Sequence, residues 1–156
     1  RKLDKLQAVA QEIAEDGGKA STHPCDIRQE DAVRDMVAAV VAEQGRIDGL
    51  VNNAGGQFMT PLEAISAKGW EAVVNTNLTG PVLCSRAALP LFQNSGLIIN
   101  VSSESVRVKF AMQWLYTATK AGLESVSELL DRELAPDGVR VSLIRCGQMY
   151  DETKEN

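Results

Sequence analysis

Tyr116 and Lys120 stand four residues apart in a segment of helical character, so their side chains leave one helix face about one turn apart. An ammonium beside a phenol favours the phenolate. It can bring a group that titrates near 10 in water toward a useful general acid or base. Ser103, which follows an apolar run, can add a hydroxyl to the same spot. Taken alone, a Tyr-x-x-x-Lys pair is a weak signal, because the same spacing occurs on many solvated helix faces and a perturbed phenol needs a specific setting.

The elements that would position these side chains follow from hydrophobic periodicity. Residues 1–16 carry Leu3, Leu6, Val9, Ala10 and Ile13 on one helical face, and Gly17-Gly18 supplies the stop. Residues 19–24 read as a short strand ending in Cys25-Asp26-Ile27. A second helix then sets Val33, Met36, Val37, Val40 and Val41 on one side until Gln44-Gly45. The run Ile47 to Val51 is a buried strand that breaks into the loop Asn52-Asn53-Ala54-Gly55-Gly56. Residues 70–92 read as one long helix or two abutting ones, with Pro81 and Pro90 as kinks or boundaries. Residues 96–101 form another strand, leading into Ser102-Ser103. Trp114 to Leu134 is a helix through Leu123, Val126, Leu130 and Leu134, which Pro136-Asp137-Gly138 ends, and residues 139–144 are a last β-branched strand. This alternation implies an α/β fold, a parallel sheet with helices on both faces. Ligands of such sheets bind beyond the carboxyl ends of the strands. Small and polar residues collect there: Asp26, Asn52 to Gly56, Ser102-Ser103 and Cys146-Gly147.

Four motifs occur in a fixed order: Asn52-Asn53-Ala54-Gly55, Asn75-Thr76-Asn77-Leu78-Thr79-Gly80, Ile99-Asn100-Val101-Ser102-Ser103, and Tyr116-Thr117-Ala118-Thr119-Lys120. Together they resemble the short-chain dehydrogenase/reductase family over nearly the whole chain. The resemblance implies one NAD(P)-binding domain over residues 1–156, partial and of Rossmann type. It makes Tyr116 the general acid or base, and Lys120 the group that lowers its pKa and holds the nicotinamide ribose. Ser103 would hold the substrate oxygen, and Asn77 a water joining Lys120 to solvent. Ser102 would pack or cap. Asp26 would accept from the adenine amino group with Ile27 beside the ring, and the backbone of Asn52, Ala54 and Gly55 would line the cofactor. Gly147 and Met149, together with Tyr116 and Lys120, would complete the cofactor contacts. Arg1 falls where NADP-preferring members place a basic residue, so NADP(H) is favoured over NAD(H).

The departures from the family pattern carry expectations of their own. The family's first strand and its glycine-rich turn, which seats the pyrophosphate on a helix N-terminus, have no counterpart, so the sheet should lack the first two strands. In the family's strand order, 3-2-1-4-5-6, the strand at 19–24 would lie about 14 Å, or three inter-strand spacings, from the Leu50 strand. Either that strand slides across, another chain fills the gap, or the sequence is an excerpt. The family's Pro-Gly after the last strand reads Cys146-Gly147 here.

The function this implies is an NAD(P)-dependent oxidoreductase passing a hydride between nicotinamide and a carbonyl or alcohol. The stretch from Asn53 to Gly80 is similar to the peroxisomal trans-2-enoyl-CoA reductase group, which makes enoyl-CoA reduction the second reading. A truncated, catalytically silent nucleotide-binding or oligomerisation module is the third. A homodimer or homotetramer would pair the two long helices through Ala87-Ala88-Leu89 and the 123–130 face. Composition narrows the rest. Of 156 residues 44% are hydrophobic and 24% charged, which excludes disorder, and no apolar run approaches a membrane span. A net charge of -5 repels nucleic acid. Three scattered cysteines suit a reducing, cytoplasmic setting better than a disulfide framework. His23 is the only histidine, so no metal cage or Ser-His-Asp triad is expected.

Overall fold

The computed structural model describes residues 3–93 and 95–147. Three parallel strands, β1 (Gly49–Asn52), β2 (Gly96–Ser103) and β3 (Val139–Cys146), pair in that order. The register sets Leu50 beside Ile98, Ile98 beside Val141, and Ser103 beside Cys146. Among the described residues six α-helices accompany them: α1 (Leu3–Glu15), α2 (Glu30–Gln44), α3 (Ala67–Val74), α4 (Gly80–Ala88), α5 (Ser105–Val108) and α6 (Trp114–Leu134).

Side chains alternate across each strand, and the two sheet faces differ. Leu50, Ile98, Val139 and Val141 pack with Leu89, Leu130 and Leu134 into one core. A second cluster joins Val33 and Val37 of α2 to Cys84 of α4, with Cys25, Ile27 and Leu50 against it. Burial there pushes the Cys84 thiol up to about 11, so it acts as a small apolar group. The opposite face, bearing Val51, Leu97 and Ile144, is 60%, 41% and 48% exposed at those residues. The packed helical layer therefore covers one face among the described residues. α1, the first helix expected from sequence, contains no buried residue.

Two boundaries differ from the sequence reading for identifiable reasons. The segment at 19–24 is not a strand. A strand exists through its ladder partner, and among the described residues the sheet supplies none, since β1 has no neighbour on its outer side there. The residues just after it, Cys25 and Ile27, pack against the cluster of Val33, Val37 and Cys84. The helix expected from Trp70 begins three residues earlier, because the Ser66 hydroxyl accepts from Gly69 N–H at 3.0 Å and caps it. That helix then runs through a π-turn, Asn75–Thr79, into α4 and a final 3-10 turn, Leu89–Leu91. Pro81 has no N–H to give the Asn77 carbonyl, which accounts for the widened turn. Gly45 and Gly138, with φ of +82° and +75°, end α2 and the turn after α6 as the sequence implies.

The faces expected to pair two copies are partly buried and partly exposed. Ala88 and Leu123 are buried within the chain, while Leu129 stays exposed. No helix of the described residues is long and apolar enough to cross a membrane.

Candidate active site

The carboxyl ends of β2 and β3 and the first turn of α6 converge. Tyr116 lies in that turn and Lys120 one turn later. The Lys120 side chain runs inward, 4% exposed, and its Nζ donates to the Val101 carbonyl at 2.7 Å. The same Nζ stands 5.7 Å from the centre of the Tyr116 ring. Burial holds this ammonium below its ordinary pKa, with the Cys146 thiol acting in the opposite sense. Ser103 Oγ accepts from Ser105 N–H at 3.2 Å, which leaves the Ser103 proton free to be donated.

Asn77 is fully buried and holds the loop after β1 from both sides. Its Oδ1 accepts from Gly56 N–H and its Nδ2 donates to the Gly56 carbonyl, both at 2.9 Å. A further bond at 3.2 Å reaches Thr119 Oγ1 of α6. Both amide hydrogens are thereby spent on protein, so the arrangement makes Asn77 a clamp between the loop and α6. Gly55 is wedged beside it: a Cβ there would stand 3.3 Å from Asn77 Oδ1 and 3.4 Å from Lys120 Nζ. Asn52 turns inward, donating to Asn100 Oδ1 at 2.8 Å, while Asn100 donates to Ser127 Oγ at 2.8 Å. These bonds fasten β1 to β2 and β2 to α6 behind the site.

Ser102, set on the opposite side of β2 from Ser103, neither merely packs nor caps. Its hydroxyl donates to Glu124 Oε1 at 2.7 Å, and Arg145 of β3 grips the same carboxylate at 2.8 and 2.6 Å. The Arg145 guanidinium, aided by Ser102, holds the Glu124 carboxyl below its usual pKa against the cost of burial.

Two cavities meet at Ser103 and Tyr116. One, of 460 Å³, extends toward Glu104, Ser105, Phe110 and Gln113. The other, of 250 Å³, extends toward Asn53, Gly55, Gly56 and Lys120. Gln57, Cys146 and Gly147 border both. A third, of 160 Å³, brings Ile27 together with Asn52 and Ala54. The second cavity has the features a nicotinamide riboside needs. Its floor is glycine, and an ammonium that has used one of three donors remains for hydroxyl groups.

The structure thus gathers Ser103, Tyr116, Lys120, Gly55 and Gly147 at one place, with Asn77 directly behind, and sets Ile27, Asn52 and Ala54 around a neighbouring hollow. Asp26 lies just before Ile27 and is paired within its own loop. Its carboxylate is gripped by Arg28 through Nε at 2.9 Å and Nη2 at 2.6 Å. Arg1 and Met149 lie outside the described residues. Gln57, Ser105, Phe110 and Gln113 were missed by sequence reasoning. They belong to irregular or very short elements, where no periodicity marks a cavity wall. The only available signal was proximity, Gln113 lying three residues before Tyr116 and Ser105 two after Ser103. Trp114 supports the site at a distance, donating to the Thr60 carbonyl at 3.0 Å and stacking obliquely on Trp70 with centres 6.2 Å apart.

A family model described as short chain dehydrogenase matches residues 1–156. A 3-oxoacyl-[acyl-carrier-protein] reductase from Synechocystis sp. is 36% identical over 96% of the chain and 61% of that protein. An uncharacterized oxidoreductase from Staphylococcus aureus is 31% identical over 96% of the chain and 64% of its own length. Among solved structures, a dehydrogenase/reductase from Sinorhizobium meliloti superposes with a TM-score of 0.92 at 29% identity, covering 97% of the chain and 61% of its own. A metagenomic short-chain oxidoreductase in complex with NADP gives 0.89 at 38% identity, over 95% and 68%. The chain spans about three-fifths of the length of the curated relatives it matches, 58% to 64%.

Proposed function

The chain belongs to the short-chain dehydrogenase family, and from that premise we propose that this cleft moves a hydride between a nicotinamide and a carbonyl or alcohol carbon, with Tyr116 handling the proton. The observation that carries the reading is the meeting of two cavities at Ser103 and Tyr116, with Lys120 buried behind the phenol.

A reduced nicotinamide, when bound, supplies the hydride. The 250 Å³ cavity is the place for it, with the two unused Lys120 donors turned to the ribose hydroxyls. Substrate occupies the 460 Å³ cavity, its carbonyl oxygen between the Ser103 and Tyr116 hydroxyls. As the carbon gains the hydride and its electron pair, the oxygen becomes negative, and Ser103 donates a hydrogen bond to it. A single preorganised donor of this kind is worth about 10²–10³ in rate. Tyr116 releases its proton to that oxygen, giving the alcohol, and the Lys120 charge stabilises the phenol oxygen at that moment. The steps reverse for oxidation. Asn77 acts through position, holding the Gly55-Gly56 turn against α6 so that Lys120 keeps its place.

NADP(H) is proposed over NAD(H). Arg1 supports this by its position in the sequence, and the solved relative in complex with NADP is 38% identical. The test is Tyr116→Phe in the whole protein, followed by oxidation of NADPH and of NADH against ketone and enoyl-CoA panels. Turnover of ketones should fall by about 10² or more. Unchanged turnover would remove Tyr116 from its role, and turnover confined to enoyl-CoA would replace the carbonyl reading with the second one.

A further inference from the structure

The cavity in front of Ser103 and Tyr116 holds more hydrogen-bonding capacity than one carbonyl oxygen uses. Ser105 is 2% exposed, and its hydroxyl has no hydrogen-bond partner. Native proteins leave few buried polar groups unmet, and each such group calls for a reason. Ser105 belongs to the wall of the 460 Å³ cavity. Its backbone N–H is bonded to Ser103 Oγ at 3.2 Å, so its side chain lies one residue's breadth from the hydroxyl that meets the reacting oxygen. Gln57 and Gln113 line the same cavity, and among the described residues neither side-chain amide makes a hydrogen bond.

Building on the proposed function, we infer that Ser105, with these two amides, forms a second polar subsite. The substrate class it selects is a carbonyl compound carrying another oxygen, hydroxyl or carbonyl, on the α- or β-carbon. A serine hydroxyl both donates and accepts, and so does a carboxamide, so either oxygen function is served. Rotation about the single χ1 bond carries the Ser105 hydroxyl between staggered positions, and a second oxygen on the substrate gives it the partner it lacks. A simple ketone would enter the same cavity and leave the subsite unmet. Selectivity of this kind is the strong kind, because a site built to hydrogen-bond a substrate group rejects the analogue that lacks it. Phe110 on the same wall leaves an apolar surface for the rest of the molecule.

The experiment compares 2-butanone with 3-hydroxy-2-butanone and 4-hydroxy-2-butanone, reduced by the whole protein with NADPH and with NADH. In the wild type, kcat/KM for at least one hydroxyketone should exceed that for 2-butanone by about tenfold or more, the scale of one hydrogen bond to an otherwise unpaired buried group. In Ser105→Ala this ratio should collapse about tenfold. The three ketones differ in intrinsic electrophilicity, but those differences cancel when variant and wild type are compared, so the change in ratio reports the subsite. A ratio in Ser105→Ala within about twofold of the wild-type value would overturn the inference. If that variant does not fold, the wild type still decides, since equal kcat/KM for the ketone and both hydroxyketones is itself refuting. Turnover of 2-butanone without preference ends the subsite and leaves the proposed function standing. Failure to turn over any carbonyl ends both.

Discussion

Replacing Glu124 with Gln should damage the platform on which the site stands. Glu124 is buried and accepts three bonds, one from Ser102 and two from Arg145, at 2.6 to 2.8 Å. Each partner adjoins the cleft, since Ser102 precedes Ser103, Arg145 precedes Cys146, and Glu124 is one turn beyond Lys120. Removing one member of a fully buried ion pair costs about 3–5 kcal/mol. Here the Arg145 side chain is 31% exposed and can recover part of its hydration, which brings the expectation to about 2–3 kcal/mol. For a protein of this family's length, 1 kcal/mol moves Tm by about 2–4 °C, so the variant should melt about 5–10 °C early.

The loss should also depend on pH with a definite sign. Glu124 has a folded pKa depressed below its ordinary value of 4.5, so its contribution is complete above that value and disappears as pH falls through the folded pKa. The gap between wild type and Glu124→Gln should therefore be constant from neutral pH down to about 5 and narrow below 4.5. Thermal melts followed by circular dichroism at a series of pH values give both numbers. A shift smaller than about 2 °C at neutral pH would show that the pair contributes little net stability, as buried pairs sometimes do. A gap that widened in acid would refute the sign.

Other outcomes follow from the same geometry. In Gly55→Ala the added Cβ would crowd Asn77 Oδ1 at 3.3 Å and Lys120 Nζ at 3.4 Å. Displacing Lys120 by a few tenths of an ångström should cost about tenfold in kcat while Tm falls by only a few degrees, and full activity with an unchanged KM for NADPH would refute this. The 156-residue chain expressed alone should aggregate or bind cofactor poorly, because among the described residues Val51, Leu97 and Ile144 are exposed on one sheet face and the outer edge of β1 is unpaired. Light scattering and NADPH titration check it, and a soluble monomer with micromolar affinity would overturn it.

What could be read in the sequence was what repeats or what is local. The 3.6-residue period placed α6, and with it the Tyr116–Lys120 pair. The apolar run ending in Ser102-Ser103 placed β2. Gly45 and Gly138 marked their turns because a positive φ leaves few alternatives. The failures come from interactions between distant parts of the chain. Residues 19–24 are a mixed stretch whose place between two helices suggested a strand, but strand identity depends on a neighbour that position in sequence does not reveal. Asn77 was legible as a site residue, but its clamp on the loop and α6 was not. Its partners, Gly56 and Thr119, are 21 and 42 residues away, and only the fold shows both amide hydrogens consumed. The Arg28 grip on Asp26 joins residues only two apart, and motif reading passed over it because the motif specifies the acid and not its neighbour.

The same division separates chemistry from specificity. Proton transfer requires a phenol, an ammonium and a hydroxyl on regular elements at set spacings, and that requirement leaves a pattern in the residues. The walls of the substrate cavity have no such constraint. They come from α5 and the stretch that follows, where Lys109 and Met112 adopt φ of +57° and +61°. Non-glycine residues in that region persist only when surrounding contacts hold them there. Here Lys109 N–H donates to the Ser105 carbonyl at 3.0 Å, and the Met112 carbonyl accepts from Thr60 N–H at 3.3 Å. The polypeptide thus bends Phe110 and Gln113 onto the cavity by backbone conformations that side-chain type does not announce. That is why the family could be named from four motifs, while the second oxygen proposed for the substrate had to be inferred from one unpaired hydroxyl.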